Sequence, residues 1–198
     1  MKKIILTAVA IFAFGFANAQ DAASNGFSKG NKFVEGSLYI RSGDNVQDSW
    51  SLNPSMGYML DNQWAIGGRL NFGGGDLINN NGKYSNIGIT AFARYYFLSL
   101  GASKSFNAYG ELGLGYSSKT NDPNVGNKTT DGAMNANVDL GMNYFFTSHW
   151  AVTFELANIL SYNSYNPENA GNSSDLEVNV NLYKNIFAQP TFGLLYKW

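Results

Sequence analysis

The chain has 198 residues, 22 glycines, no cysteine, 15% aromatic and only 14% charged residues, with a formal net charge of −1. This length suits one domain. The near-neutral balance excludes an electrostatic nucleic-acid binder, and the missing thiols exclude a disulfide scaffold, a cysteine-ligated metal centre and a thiol nucleophile. Hydrophobic residues reach 44% although the mean hydropathy is −0.20, so apolar side chains are dispersed among polar ones.

The N-terminus is built as an export signal. Lys2 and Lys3 precede an apolar run from Ile4 to Phe16, and Ala17-Asn18-Ala19 offers the small-x-small pattern that signal peptidase cleaves. Residues 1–19 are therefore expected to be a signal peptide, 20–32 a short N-terminal segment and 33–198 the folded domain. Removing Lys2 and Lys3 takes the formal charge from −1 to −3. No later stretch supplies the ~18 consecutive apolar residues of a spanning helix; Ala91 to Ala102 comes nearest and is broken by Arg94 and Ser99.

From residue 33 the chain alternates with period two, the signature of strands with one apolar and one polar face. The apolar members are Val34, Leu38 and Ile40; then Trp50, Leu52, Met56, Tyr58 and Leu60; then Trp64, Ile66, Leu70 and Phe72. The phase moves to odd numbers at Ile87, Ile89, Ala91, Ala93, Tyr95 and Phe97, and back to even at Phe106, Ala108, Leu112, Leu114 and Tyr116. Met134 to Phe146 and Trp150 to Leu156 follow, and a last run goes from Leu176 to Trp198 with Lys184 as its exception. This predicts eight strands, most of them as long as the ~9–11 residues of a tilted transmembrane strand. Pro54 and Pro190 fall mid-strand, where a bulge or a lost ladder bond is expected.

Three features favour a membrane barrel over a soluble sandwich or lipocalin-like barrel. Short connections (61–63, 98–105, 147–149) alternate with longer ones (42–49, 73–86, 117–132, 161–175), as where tight periplasmic turns face long external loops. Aromatic residues gather at both ends of the apolar face, at Trp64, Tyr95, Trp150, Tyr196 and Trp198 on one side and Trp50, Phe72, Tyr116 and Tyr162 on the other. The opposite face carries Arg41, Arg69 and Arg94 with Glu35, Glu111, Asp139 and Glu155. An eight-stranded barrel is too narrow to bury the Trp- and Leu-rich face inside, whereas facing it to lipid and the charges inward leaves every backbone group paired within a closed sheet.

The chain ends Thr191-Phe192-Gly193-Leu194-Leu195-Tyr196-Lys197-Trp198. With Gly193, Tyr196 and Trp198 this resembles the C-terminal assembly signal of outer-membrane barrels, with Trp198 where that family usually has Phe. Gly57-Tyr58, Gly115-Tyr116 and Arg94-Tyr95-Tyr96-Phe97 are also similar to the small eight-stranded family that includes OmpX and the OmpA membrane domain. The resemblance covers about residues 33–198. It implies an all-β, eight-stranded antiparallel up-and-down barrel in the outer membrane. It also implies delivery by periplasmic chaperones and insertion by the barrel assembly machinery.

No catalytic, cofactor or metal site is expected. His149, the sole histidine in the sequence, falls in a short turn at the expected periplasmic end, away from the outer leaflet where lipid-modifying barrels work. The inward charges read as a structural Arg–Glu network filling a narrow lumen, because an unpaired buried charge costs several kcal/mol. Inward Gly57, Gly67, Gly88, Gly113, Gly141 and Gly193 would make room for Phe92, Tyr96, Tyr109 and the arginines. The expected function is structural or surface-interactive. The protein would be monomeric in outer-membrane lipid, with its polar segments 117–132 and 163–175 facing out toward an unidentified extracellular ligand. A narrow pore is the alternative, and an outer-leaflet lipid-modifying enzyme a lesser one.

Overall fold

The computed structural model describes residues 26–43, 47–77, 82–101, 103–168, 171–179 and 191–198. The expected signal peptide, Pro190 and residues 180–190 of the expected last strand lie outside the described residues. Nine strands are described, namely β1 (Lys32–Arg41), β2 (Ser49–Met59), β3 (Trp64–Asp76), β4 (Gly82–Leu100), β5 (Phe106–Pro123), β6 (Thr129–Phe145), β7 (Trp150–Asn166), β8 (Ser173–Val178) and β9 (Thr191–Lys197). Neighbours from β1 to β7 pair antiparallel in sequence order, and β9 pairs with both β7 and β1, which closes a ring of eight. The expected last strand is present as two pieces on the same neighbour. Leu160 to Tyr165 of β7 pair with β8, and Trp150 to Glu155 pair with β9.

The two faces separate as the alternation requires. Val34, Leu38, Ile40, Met56, Ile66, Ile89, Leu112 and Leu114 are exposed on the outer wall, while Phe33, Met59, Phe92, Tyr96, Tyr109, Phe145 and Leu195 are buried inside. An outer surface this apolar cannot face water over most of its circumference without an oily partner. Trp50, Tyr116 and Tyr162 stand exposed toward the outer end, and the inner end carries aromatic pairs. Trp64 lies 4.8 Å from Tyr95, Trp150 lies 4.8 Å from Tyr196, and Tyr196 stacks on Trp198 at 5.9 Å.

The expected long outer loops are mostly strand. β3 runs to Asp76, β5 to Pro123 and β7 to Asn166, so the connections shrink to residues 77–81, 124–128 and 167–172. Segments such as Ser117 to Asp122 lack an apolar member, which hides their period from hydropathy. The ladder needs only backbone groups, however, and polar cross-strand pairs suffice outside lipid. Thr120 bonds Thr130 at 3.2 Å and Asn121 donates to Asp131 at 3.3 Å. In place of loops, β4 to β7 extend the wall beyond the outer aromatic belt.

Irregularities fall at defined points. Pro54 faces Gly36 on β1 in unbroken register, but neither Asn53 nor Pro54 has a rung to β3, although the β2–β3 register is the same on both sides of the gap. The missing proline N–H accounts for a lost ladder bond without a bulge. Phe97 is extra in the β4–β5 ladder. β7 carries two bulges, at Leu156 and Ile159, so Ala157 registers with Leu140 and Asn158 with Asp139. The expected phase of β7 fails between those points and returns beyond them, because two single-residue insertions restore parity.

Residues 26–31 are not a free leader. Phe27 is buried in the inner mouth against Phe33, Tyr96 and Phe145, at ring distances of 5.4, 4.7 and 5.1 Å. The Lys197 ammonium donates to the Gly26 carbonyl. At the β2–β3 turn the Asp61 carboxylate accepts from the backbone amides of Gln63 and Trp64, both at 2.7 Å. These bonds favour its ionised form and hold its pKa below the usual value. Their contribution is complete above about pH 3.9 and is lost as pH falls through the lower folded value. Protection of the Gln63 and Trp64 amides, read by NMR, should persist from neutral pH down to about 4 and decline below it; in Asp61→Ala it should be reduced at every pH.

Inward glycines set the bore. A Cβ on Gly67 would meet the Met56 carbonyl oxygen at 2.3 Å and the Phe92 ring at 2.3 Å, whereas one on the outward Gly68 meets nothing nearer than 3.8 Å. Gly67→Ala should lower unfolding stability by about 1–3 kcal/mol through overpacking, and Gly68→Ala should leave it unchanged. Urea titration in lipid vesicles followed by tryptophan fluorescence measures both.

Candidate functional site

The site is the interior of the barrel, where adjacent strands bring the charged residues together. The register places Arg94 of β4 opposite Glu111 of β5, and the ring brings Glu35 of β1 across the bore. Arg94 is fully buried. Its Nε donates to Glu111 Oε2 at 2.8 Å, and its Nη2 lies 2.5 Å from Glu35 Oε1 and 2.7 Å from Glu111 Oε2. Arg69 of β3 donates to Glu111 Oε1 at 2.7 Å. Two guanidiniums and two carboxylates thus form one neutral cluster. Ser55 adds a hydroxyl donor to Glu35 at 3.1 Å, and Arg94 Nη1 donates to the Tyr96 hydroxyl at 3.2 Å.

Aromatic faces complete the cage. The Arg94 guanidinium sits 4.0 Å from the Tyr109 ring centroid, 5.2 Å from Phe92 and 5.5 Å from Phe33. A desolvated cation on an aromatic face gains about 2 kcal/mol or more, which offsets part of the loss of hydration. Gly57 lies under Phe33 and Gly141 under Tyr109, and a Cβ at either would fall within 2.4 Å of the ring it supports. Below this layer Phe33, Tyr96, Phe145 and the inserted Phe27 pack as an apolar floor at the inner mouth.

Asp139 and Glu155 do not join the cluster. Asp139 accepts from Asn158 at 2.6 Å and from Asn137, and among the described residues neither it nor Glu155 is paired with a cation. Both line a cavity of about 720 Å³ that occupies the outer half of the bore, together with Ser37, Ser51, Asn53, Asn71, Thr90, Asn135 and Asn137. The expected charge-filled lumen is therefore closed in its inner half only. Small polar side chains on the inward positions leave the outer half open. The bulges of β7 were beyond the alternation pattern, as was the plugging role of Phe27.

The remaining candidate residues run from the cavity wall, at Gly193, to the inner rim. Gly193 pairs with Ser37 and Thr153, and a Cβ there would fall 2.7 Å from both the Gly36 carbonyl oxygen and the Thr153 methyl. Tyr196 and Trp198 stand in the inner aromatic belt. His149 sits in the β6–β7 turn, 5.9 Å from the Tyr196 ring, with Nδ1 2.8 Å from Ser148 Oγ. That Ser–His contact joins sequence neighbours in an exposed turn, and among the described residues no carboxylate orients the ring as a nucleophilic triad requires. Among the described residues no group of acidic or histidine side chains could hold a metal ion.

With lipid-facing belts, a closed ring and a charged interior established, the comparison with known families is decisive. The sequence matches the outer membrane protein beta-barrel domain over residues 6–183. The chain belongs to that family. Among solved structures this outer-membrane barrel resembles the N-terminal β-barrel domain of Pseudomonas aeruginosa OprF, at 14% identity and a TM-score of 0.51, covering 87% of this chain and 100% of that one. It also resembles OprG of Pseudomonas aeruginosa, at 16% identity and TM-score 0.51 over 88% and 98% of the two chains. Neisserial surface protein A matches at 14% identity and TM-score 0.51 over 85% and 96%. At these identities the likeness concerns the fold. No curated protein sequence matches. The barrel resides in the outer membrane, its apolar wall in lipid.

Removing Arg94 leaves two buried carboxylates to share the single guanidinium of Arg69. Arg94→Leu should destabilise the barrel by about 3–5 kcal/mol. The double variant Arg94→Leu/Glu35→Gln should recover most of that loss, since it leaves the Arg69–Glu111 pair as the only charges of the cluster. Arg94→Lys should recover little, because an ammonium cannot fork between two carboxylates. Equilibrium unfolding in vesicles compares the four proteins.

Proposed function

We propose that this outer-membrane barrel is a non-enzymatic structural and surface-contact protein with no through-pore. What carries the reading is the closed layer. The Arg94–Glu35–Glu111 cluster spans the bore, and the Phe27 plug and apolar floor seal what lies below it. A hydrated solute would have to break several charge-assisted hydrogen bonds and displace an aromatic plug. The polar extensions of β4 to β7 offer the contact surface instead, held out from the membrane as a rigid wall. We assign residues 1–19 to a cleaved leader and 33–198 to the barrel domain, with 26–31 as its inner plug. Gly193, Tyr196 and Trp198 serve as the recognition end for the assembly machinery, after passage with periplasmic chaperones.

A narrow pore is the second reading, and the open outer cavity favours it. Planar-bilayer recording distinguishes the two: the wild-type protein should give no sustained conductance, and a large steady channel would refute the closed barrel. For the contact role, the 118–131 tip of the β5–β6 hairpin can be replaced by a tight turn. The shortened barrel should keep its heat-modifiable gel mobility and lose the cell-surface phenotype that deletion of the whole protein removes. Survival of that phenotype would refute the assignment to these extensions.

A further inference from the structure

We propose that residues 26–31 are a strap that docks last, after the ring of strands has closed, and locks the seam between β1 and β9 against reopening. The role is independent of the surface-contact reading. The partners of the strap come from all round the inner mouth. Phe27 packs on Phe33 of β1, Tyr96 of β4 and Phe145 of β6. Around the ring β4 and β6 each stand three strands from β1, one in either direction. A single side chain thus bridges strands that face one another across the bore.

The other grip comes from the far end of the chain. The Lys197 ammonium donates to the Gly26 carbonyl, and it lies 5.8 Å from the Phe27 ring centroid and 5.0 Å from that of Phe145. Gly26 and Lys197 are 171 positions apart in sequence. Beside them the seam itself closes, where Lys32 and Trp198 exchange backbone hydrogen bonds at 2.9 and 3.0 Å. A side chain of β9 therefore holds the segment that continues β1. Opening the seam at this end must pull Gly26 away from Lys197 and Phe27 out of its aromatic seat.

The strap carries its own pivot. The Ser28 amide donates to Asn31 Oδ1 at 2.8 Å and the Asn31 amide to the Ser28 carbonyl at 3.1 Å. Gly30 turns the chain at a φ of +89°, which glycine adopts without a Cβ clash. On the neighbouring hairpin the Lys29 amide donates to Asn62 Oδ1 at 3.0 Å and the Gly30 amide to the Met59 carbonyl at 2.9 Å. The pivot needs only local residues and the β1–β2 pair, so it can form early. The seat of Phe27 cannot, because its walls belong to strands far apart in the chain and meet only in the closed ring. Contacts made after the rate-limiting step leave the folding rate alone and act on the unfolding rate. The strap thereby gives the closed barrel kinetic stability.

Refolding of the full-length variants from urea into lipid vesicles, and unfolding by urea jump, test this, with tryptophan fluorescence and heat-modifiable mobility as readouts. Phe27→Ala should unfold at least tenfold faster than wild type and fold within about twofold of the wild-type rate. Lys197→Met, which keeps an apolar stem and removes the ammonium, should show the same split. Phe27→Leu should show it by a smaller factor, and decides the matter if Phe27→Ala does not fold. Folding slowed by as large a factor as unfolding is accelerated would overturn the proposal, because the strap would then be part of the closing step. Unfolding rates unmoved by these substitutions would overturn it by leaving the strap without a hold on the seam.

Discussion

A buried guanidinium at the centre of a lipid-embedded barrel is the constraint on which the interior is organised. Arg94 is fully buried, and its removal from solvent is tolerable only with carboxylates in hydrogen-bonding contact and few lone pairs left over. The sheet supplies Glu111 on the next strand and Glu35 across the bore, and Arg69 takes the remaining Glu111 oxygen. Each partner comes from a different strand. The cluster therefore also ties β1, β3, β4 and β5 together at one height, and a register slip in any of them would separate the charges.

The same constraint governs space. Fitting a caged arginine and several rings into an eight-stranded bore requires inward positions with no side chain at all. Gly57, Gly67 and Gly141 answer to Phe33, Phe92 and Tyr109 in that order. Above the layer the inward residues are mostly serine, threonine and asparagine, too small to fill the centre, and the bore opens. A single barrel thus has a packed inner half and a solvated outer half. The difference arises from side-chain volume on one face, since the backbone ring is continuous through both.

Outside, the order is inverted. The wall is apolar where it meets lipid and becomes polar where β4 to β7 rise beyond the outer aromatic belt. The ladder continues unchanged across that boundary because its hydrogen bonds are internal to the sheet. The extension is therefore a continuation of the same sheet, and its side chains can vary at little cost to the barrel below. The structural relatives share the fold at about 14–16% identity, which fits a wall whose requirement is alternation of polarity more than particular residues.

Much of this was legible in the chain itself. Period-two alternation marked the strands and their faces wherever an apolar residue was present, and the mixture of Arg, Glu and Asp on one face placed the charges inside. It was silent where alternation carried no hydropathy contrast, as from Ser117 to Asp122, so strands there passed for loops. Phe27 gave no local sign of its role, because a lone aromatic in a Gly- and Ser-rich stretch has no period. The partition of the acids was equally hidden. Glu35 and Glu111 meet arginines, while among the described residues Asp139 and Glu155 pair with none, and that depends on strand stagger around a closed ring and on two single-residue bulges in β7. Local sequence determined which way each side chain points. Only closure of the barrel decided which side chains stand at the same height, because height is set by hydrogen-bond register between strands far apart in the chain.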